Sequence, residues 1–323
     1  MNWADKFPLV RAGEEYPNYS SFSYIRTSGS PIYSFKDFYF YHGDDQTHLK
    51  GKWFLMPNGY HYHHFIKEML APFLYYKNNI DDSIKILWID QPMDSPTGQN
   101  MKLVNSEMKE LLSQFGMHTM SHEDLYKGKL IVDELITFGV GPRFLYVPDF
   151  IKHYIFGNTG YYHFPEGNQE LRKFFTKYMI EDDSKPKKIF VTRRDANSAI
   201  EENKRQEDFL DRYESDEFLK ALEDYFHEEG YTILSLSGMS LFEQISYFYN
   251  AEKVAGSPGT NICNLIYSKP NVSLIQIIHF GNYSYPWEKE FDSVISPDYK
   301  YIHVVGCKEY NDTMQVLKGS GIN

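Results

Sequence analysis

The chain is poor in cysteine: its 323 residues include two, Cys263 and Cys307. Two thiols in apolar, strand-like surroundings make no disulfide framework, so buried, reduced cysteines are the expectation. Long apolar runs are missing as well. Nothing approaches the roughly 18 residues that a bilayer-spanning helix requires. Residues 1–15 hold no apolar stretch of signal-peptide length, and a cytoplasmic location is the resulting expectation. Positive charge is in short supply: 33 Lys and Arg face 44 Asp and Glu, a net charge of −11. That balance argues against nucleic acid or an anionic membrane surface as a general partner, since both select a basic footprint. A local basic pocket for one small anion stays open. The chain shows no internal repeat, no low-complexity segment, no G-x-G-x-x-G fingerprint and no Walker loop.

What is present describes a globular protein. Hydrophobic residues make up 42% and charged residues 24%, within the range of folded domains. The length exceeds what one core usually organises, so two domains are expected. Aromatics reach 17%. That excess fits either aromatic platforms for a carbohydrate or the amino-acid usage of an AT-rich genome.

Apolar runs at 52–56, 83–90, 129–138 and 144–147 read as strands, with helical patterns near 62–76 and 104–115 between them. The alternation restarts in the second half. Strands are expected at 188–192, 231–235, 253–256, 273–278 and 301–305, with helices at 170–180, 207–229, 240–249 and from 261. Strands alternating with helices predict βαβ units and parallel sheets. The fold class is therefore α/β, with two Rossmann-like domains facing a cleft. A Gly-, Tyr- and Asn-rich stretch at 157–168 sets the boundary, giving domains 1–165 and 166–323.

Four constellations carry candidate chemistry. Arg193-Arg194-Asp195 follows a strand directly, and two guanidinium forks at a strand's carboxyl end suit phosphate oxygens. A surface pair satisfied by Asp195 and nearby glutamates is the plain alternative. Second, residues 256–264 (Gly-Ser-Pro-Gly-Thr-Asn-Ile-Cys-Asn) run from an apolar strand into a helix. There Gly256 and Gly259 permit close backbone approach, and N–H groups at a helix start attract an anion. Ser257, Thr260, Asn261 and Asn264 add polar side chains, although Asn261 also fits a simple helix cap.

Third, His61, His64 and Glu68 share a helix face. They suit a metal site, a general base in which His64 or Glu68 takes a proton, or a polar face that ties the helix to its neighbours. Fourth, Ser240 opens a helix with Glu243 three residues on. That spacing is a capping box, and it explains both residues without function. Glu243 and Gln244 also suit a ribose or sugar hydroxyl.

In order and spacing these pieces resemble glycosyltransferase family 61. Thr192-Arg193-Arg194-Asp195-Ala196 is similar to the family's Ser-Arg-Arg-Asp-Ala segment. Its Glu-Gln helix is met by Glu243 and Gln244, followed by Phe248 and Ala251. Its Gly-rich loop ending in Asn falls on residues 258–264, and its histidine-aromatic motif on residues 61–65, with Glu68 four positions after His64. Three loop positions depart from the pattern: Pro258, Asn261 and Cys263 stand where the family has His, Gly and Thr.

The resemblance implies a GT-B fold and an inverting, metal-independent sugar transfer. No cofactor is implied beyond a nucleotide-sugar co-substrate, with UDP the family's commonest nucleotide, and the acceptor is a glycan or protein hydroxyl. The absence of any Asp-x-Asp agrees, because metal-dependent transferases of the single-Rossmann type usually hold their ion with it. The donor would lie against Arg193, Arg194, the 256–264 loop and Glu243 with Gln244. Glu68 or His64 would be the base, with Asp90, at a strand end, in reserve. Polysaccharide assembly is the process the resemblance suggests. The alternatives are a metal-dependent hydrolase built on His61, His64 and Glu68, and a non-catalytic carbohydrate-binding relative.

Overall fold

A computed structural model describes residues 21–25, 32–41, 45–57, 62, 65–90, 102–121, 124, 128–138, 164–192, 194, 216–257, 260–278, 301–305, 315, 317 and 319. The expected strand at 144–147 and the start of the expected helix at 207–229 lie outside these residues. The chain divides into two compact units. One comprises Met1–Gly59, Tyr76–Pro92 and Leu112–Tyr162; the other comprises Tyr60–Tyr75, Met93–Leu111 and His163–Asn323.

The first unit is built on a six-stranded sheet. Its strands are β1 (Ser21–Ile25), β2 (Ile32–Tyr41), β3 (Asp45–Pro57), β4 (Lys85–Asp90), β5 (Met117–Ser121) and β6 (Gly128–Phe138), in the order β1-β2-β6-β3-β4-β5. β3, β4, β5 and β6 pair in parallel, because helices α1 (Ala71–Asn79) and α2 (Lys102–Ser113) make the crossovers that parallel pairing needs. β4 carries Ile86, Leu87, Trp88 and Ile89, all buried, the continuous apolar run of a strand covered on both faces. β1 and β2 pair antiparallel, as do β2 and β6. The alternation of strands and helices gave no sign of this antiparallel edge.

β3 carries an irregularity between Leu49 and Lys52. There Gly51 takes a φ of 86°, a conformation open to glycine, and its N–H donates to Asp133 Oδ2 at 2.8 Å.

The second unit holds a five-stranded sheet of β7 (Lys188–Val191), β8 (Thr232–Leu234), β9 (Lys253–Gly256), β10 (Ser273–Ile278) and β11 (Tyr301–Val305). The order is β11-β10-β9-β7-β8 and every pair is parallel. Helix α3 (Pro165–Phe175) runs into a 3-10 turn, Thr176–Tyr178; α4 (Asp216–Glu228) and α5 (Leu241–Asn250) follow. A 3-10 helix, Thr260–Tyr267, joins β9 to β10. The α4 side of the sheet is sealed by Phe190, Leu222, Phe226, Tyr231 and Ile275, with the Phe190 and Phe226 rings stacked at 4.6 Å. Gly230, with φ 81°, closes α4: Tyr231 N–H turns back to the Phe226 carbonyl at 2.8 Å.

Local chemistry moves some expected boundaries. Residues 165–168 of the expected connecting stretch form the first turn of α3. Pro165 supplies a fitted φ at the helix start, and Gly167 lies under the Phe164 ring, where a Cβ would come within 2.4 Å of a ring carbon. The helix expected at 62–76 is in part π-helix, Phe65–Leu70, which passes directly into α1.

Candidate functional site

In the second unit's sheet the chain leaves β7 toward β8 on one side, then returns to place β9 on β7's other side. The β7/β9 boundary is therefore the topological switch point, and open α/β sheets bind ligands outside the carboxyl ends of the strands there. Val191, the last residue of β7, pairs with Gly256, the last of β9. Two of the expected constellations thus start from neighbouring strand ends: the Arg193-Arg194 turn and the 256–264 loop. Arg193, Asp195 and Gly259 lie outside the described residues. Arg194, Gly256 and Ser257 are described, and Gly256 and Ser257 are buried.

The turn after β7 is fastened to α4. Thr192 Oγ1 donates to Glu223 Oε1 at 2.5 Å, and the other oxygen of that carboxylate pairs with the Arg194 guanidinium. The Arg194 backbone N–H donates to Thr192 Oγ1 at 3.2 Å, and the Thr192 N–H to the Leu234 carbonyl at 3.0 Å. Glu223 is 8% exposed and stands in the buried stripe of α4 with Leu219, Leu222 and Phe226. Sequence reading missed it, yet the signal was there: an acidic residue at an apolar-face position of an amphipathic helix.

The 3-10 helix beyond the loop is held by three described side chains. Asn264 Nδ2 donates to Gln244 Oε1 at 2.8 Å, and Gln244 Nε2 reaches the Met239 carbonyl at 3.2 Å. Both amides are buried, so two of the expected donor residues meet in one internal bond. Asn264 Oδ1 has no hydrogen-bond partner among the described residues. Arg172 Nη1 donates to the Ile266 carbonyl at 2.8 Å. At the helix's end the Tyr267 hydroxyl meets that of Tyr62 at 2.5 Å. Burial pushes both phenols well above the usual tyrosine range. This bond brings the histidine-aromatic segment, in which Tyr62 stands, to the Gly-rich loop's helix. The backbones of Thr260 and Asn261 form the first turn of that helix.

Of the expected bases, His64 lies outside the described residues, as does His61. Glu68 has its backbone in the π-helix, between the buried Lys67 and Met69. π-helical turns recur at functional sites. Asp90 ends β4 in the first unit and accepts from Trp88 Nε1 at 2.7 Å.

Glu243 and Ser240 form the capping box: Ser240 N–H donates to Glu243 Oε2 at 2.9 Å and Glu243 N–H to Ser240 Oγ at 3.1 Å. Those bonds from Ser240 draw the Glu243 carboxyl below its ordinary range. Glu107 of α2, not foreseen, accepts from the Leu241 N–H at 2.6 Å, so a second carboxylate stands at the positive end of α5. No helix among the described residues is long and apolar enough to cross a membrane.

A family model described as Glycosyltransferase 61 matches residues 62–275, about two thirds of the chain. The match begins at Tyr62 and ends within β10, so it takes in both phenols of the buried pair, the turn after β7 and the loop after β9. No curated protein sequence is significantly similar to the chain.

Proposed function

The chain belongs to glycosyltransferase family 61 and is a glycosyltransferase; from that premise we propose that it moves a sugar from a nucleoside diphosphate onto a glycan or protein hydroxyl, with inversion and without an obligatory metal. The fold would be of the GT-B type. The observation that carries the donor site is the pairing of Val191 with Gly256. It starts the Arg193-Arg194 turn and the 256–264 loop from adjacent strand ends at the switch point.

In this reading Arg193 and the N–H groups of the loop and of the first 3-10 turn receive the diphosphate. The acceptor oxygen attacks the anomeric carbon as the bond to the diphosphate oxygen breaks. The electron pair leaves with the nucleotide, and the acceptor's proton passes to the base, Glu68 or His64. Charge develops on the diphosphate as it departs, so Arg193 contributes more in the transition state than in the ground state. Gly256 and Gly259 allow the loop to approach, and Ser257, Thr260, Asn261 and Asn264 are its polar side chains. Asp90 is the reserve base. Family membership does not favour the hydrolase alternative.

Calorimetry and thermal shift with UDP, GDP and CMP, each with and without EDTA, test the reading. Nucleotide-dependent stabilisation that survives EDTA is expected. No response to any of them removes the donor site. Arg193→Ala should weaken nucleotide binding by on the order of 2 kcal/mol, the scale of a charge-assisted bond. Glu68→Gln should leave that binding intact and lower turnover.

A further inference from the structure

We infer that Glu223 is a positioning residue for the donor diphosphate, acting by holding the backbone on both sides of Arg193. The inference rests on the reading of Arg193 as a diphosphate ligand. Arg193 stands between Thr192 and Arg194 in the chain, and both neighbours are tied to one carboxylate. Glu223 Oε1 accepts from the Thr192 hydroxyl at 2.5 Å, and Oε2 pairs with the Arg194 guanidinium. The Arg194 N–H closes the ring on Thr192 Oγ1 at 3.2 Å. Thr192 is itself fixed to the sheet through Leu234, and Glu223 is anchored in the buried face of α4. Thr192 and Arg194, the chain neighbours of Arg193, are thus held at the strand end before any ligand arrives. Preorganisation of that kind raises affinity by lowering the ordering cost of binding.

The same arrangement divides labour between the two arginines. The Arg194 guanidinium, itself partly exposed, is paired with the buried Glu223 carboxylate, which leaves Arg193 as the member of the pair assigned to the ligand. The pattern gives the two arginines after the strand separate tasks. It also explains why an acidic residue occupies a buried position on α4, where an apolar one would pack without a desolvation cost.

The test is a double-mutant cycle on the full-length protein, read by calorimetry with UDP and GDP and by steady-state kinetics with the sugar donor. Glu223→Gln should weaken nucleotide binding about tenfold, a difference of about 1.4 kcal/mol. KM for the donor should rise and kcat should fall as well, because the Arg193 contact that Glu223 supports strengthens in the transition state. In an Arg193→Ala background the same substitution should add nothing, because its effect runs through Arg193. Should Glu223→Gln fold poorly, Thr192→Val removes one arm of the clamp at nearly constant volume and should give the same pattern. Thr192→Ser, which restores the hydroxyl, should recover affinity relative to Thr192→Val.

Wild-type affinity in Glu223→Gln alongside a weakened Arg193→Ala overturns the positioning role and leaves the donor site standing. Fully additive losses also overturn it, since Glu223 would then act independently of Arg193. If Arg193→Ala binds nucleotide like the wild type, or neither nucleotide binds the wild type, the donor reading itself falls and this inference falls with it.

Discussion

Tyr62 and Tyr267 stand 205 positions apart, and a buried hydrogen bond of 2.5 Å joins them. Removing one hydroxyl leaves the other without a partner in a place water does not reach, which costs about 1–3 kcal/mol; removing both is close to neutral. Tyr267→Phe and Tyr62→Phe should therefore each destabilise the protein, and the double variant by less than the sum, as measured by urea denaturation. Additive losses would mean that the two phenols do not depend on each other.

Asp81 gives a pH prediction. The Lys52 ammonium, followed by the Ser83 hydroxyl and N–H, holds its carboxyl down at about 2 against an ordinary 3.8. A depressed folded-state value means stabilisation that is fully present above the unfolded value and lost as pH falls through the folded one. The loss should run from about pH 4 to pH 2, and the partly exposed pair sets its size at no more than about 1 kcal/mol. Asp81→Asn should flatten that part of the stability–pH curve; an unchanged slope would assign it to other carboxylates. Glu223 and Asp81 share a lesson about legibility. Each is a single acidic residue with a partner 29 or more positions away, and the local bonds of Asp81 to Ser83 do not reveal that partner.

Among elements, α3 shows where reading from composition falls short. Gly and Asn near 165–168 look like a connecting segment because both are poor helix formers. In the folded chain Pro165 starts a helix there, and Gly167 makes room for the buried Phe164 ring, which stands edge-on to Tyr75 at 5.1 Å. Two effects oppose each other in Gly167→Ala. Alanine gains about 1 kcal/mol of helix propensity, but overpacking costs typically 1–3 kcal/mol. A Cβ at 2.4 Å from a ring carbon must displace a side chain that is 1% exposed. The steric term should win, and Gly167→Ala should lower the midpoint of thermal unfolding; a raised midpoint would mean that the ring has room to shift.

Apolar runs made β4, β7 and β10 easy to read, since strands covered on both faces are nearly continuous in Val, Ile, Leu and Phe. β1 and β2 mix Ser, Lys and Asp with aromatics, and β5 is Met-His-Thr-Met-Ser. Their pairing depends on neighbouring strands more than on any pattern of their own, so little in their own residues marks them as strands.

Over the whole chain, the constellations were legible one by one, while what joins them was not. Strand order, which no local pattern reveals, makes the ends of β7 and β9 neighbours. The unit that holds those ends also takes in Tyr60–Tyr75 and Met93–Leu111 from the first half of the chain. From those two segments come the Tyr62 hydroxyl for Tyr267, the Glu107 carboxylate for the N-terminus of α5, and the Tyr75 ring against Phe164. A fragment of residues 166–323 lacks all three. It leaves Tyr267 and the first N–H of α5 without their partners and uncovers apolar surface on α3. Tolerance of truncation follows the burial and hydrogen bonding of what is cut, and here the severed contacts are among buried groups. The fragment should therefore unfold without a cooperative urea transition and bind a hydrophobic dye, as a loosely packed state does. Extending the fragment to residues 60–323 supplies all three partners and should restore the transition. A sharp, cooperative transition for 166–323 alone would show instead that the boundary read from the composition shift delimits a self-sufficient domain, with the earlier segments docked onto it as accessories.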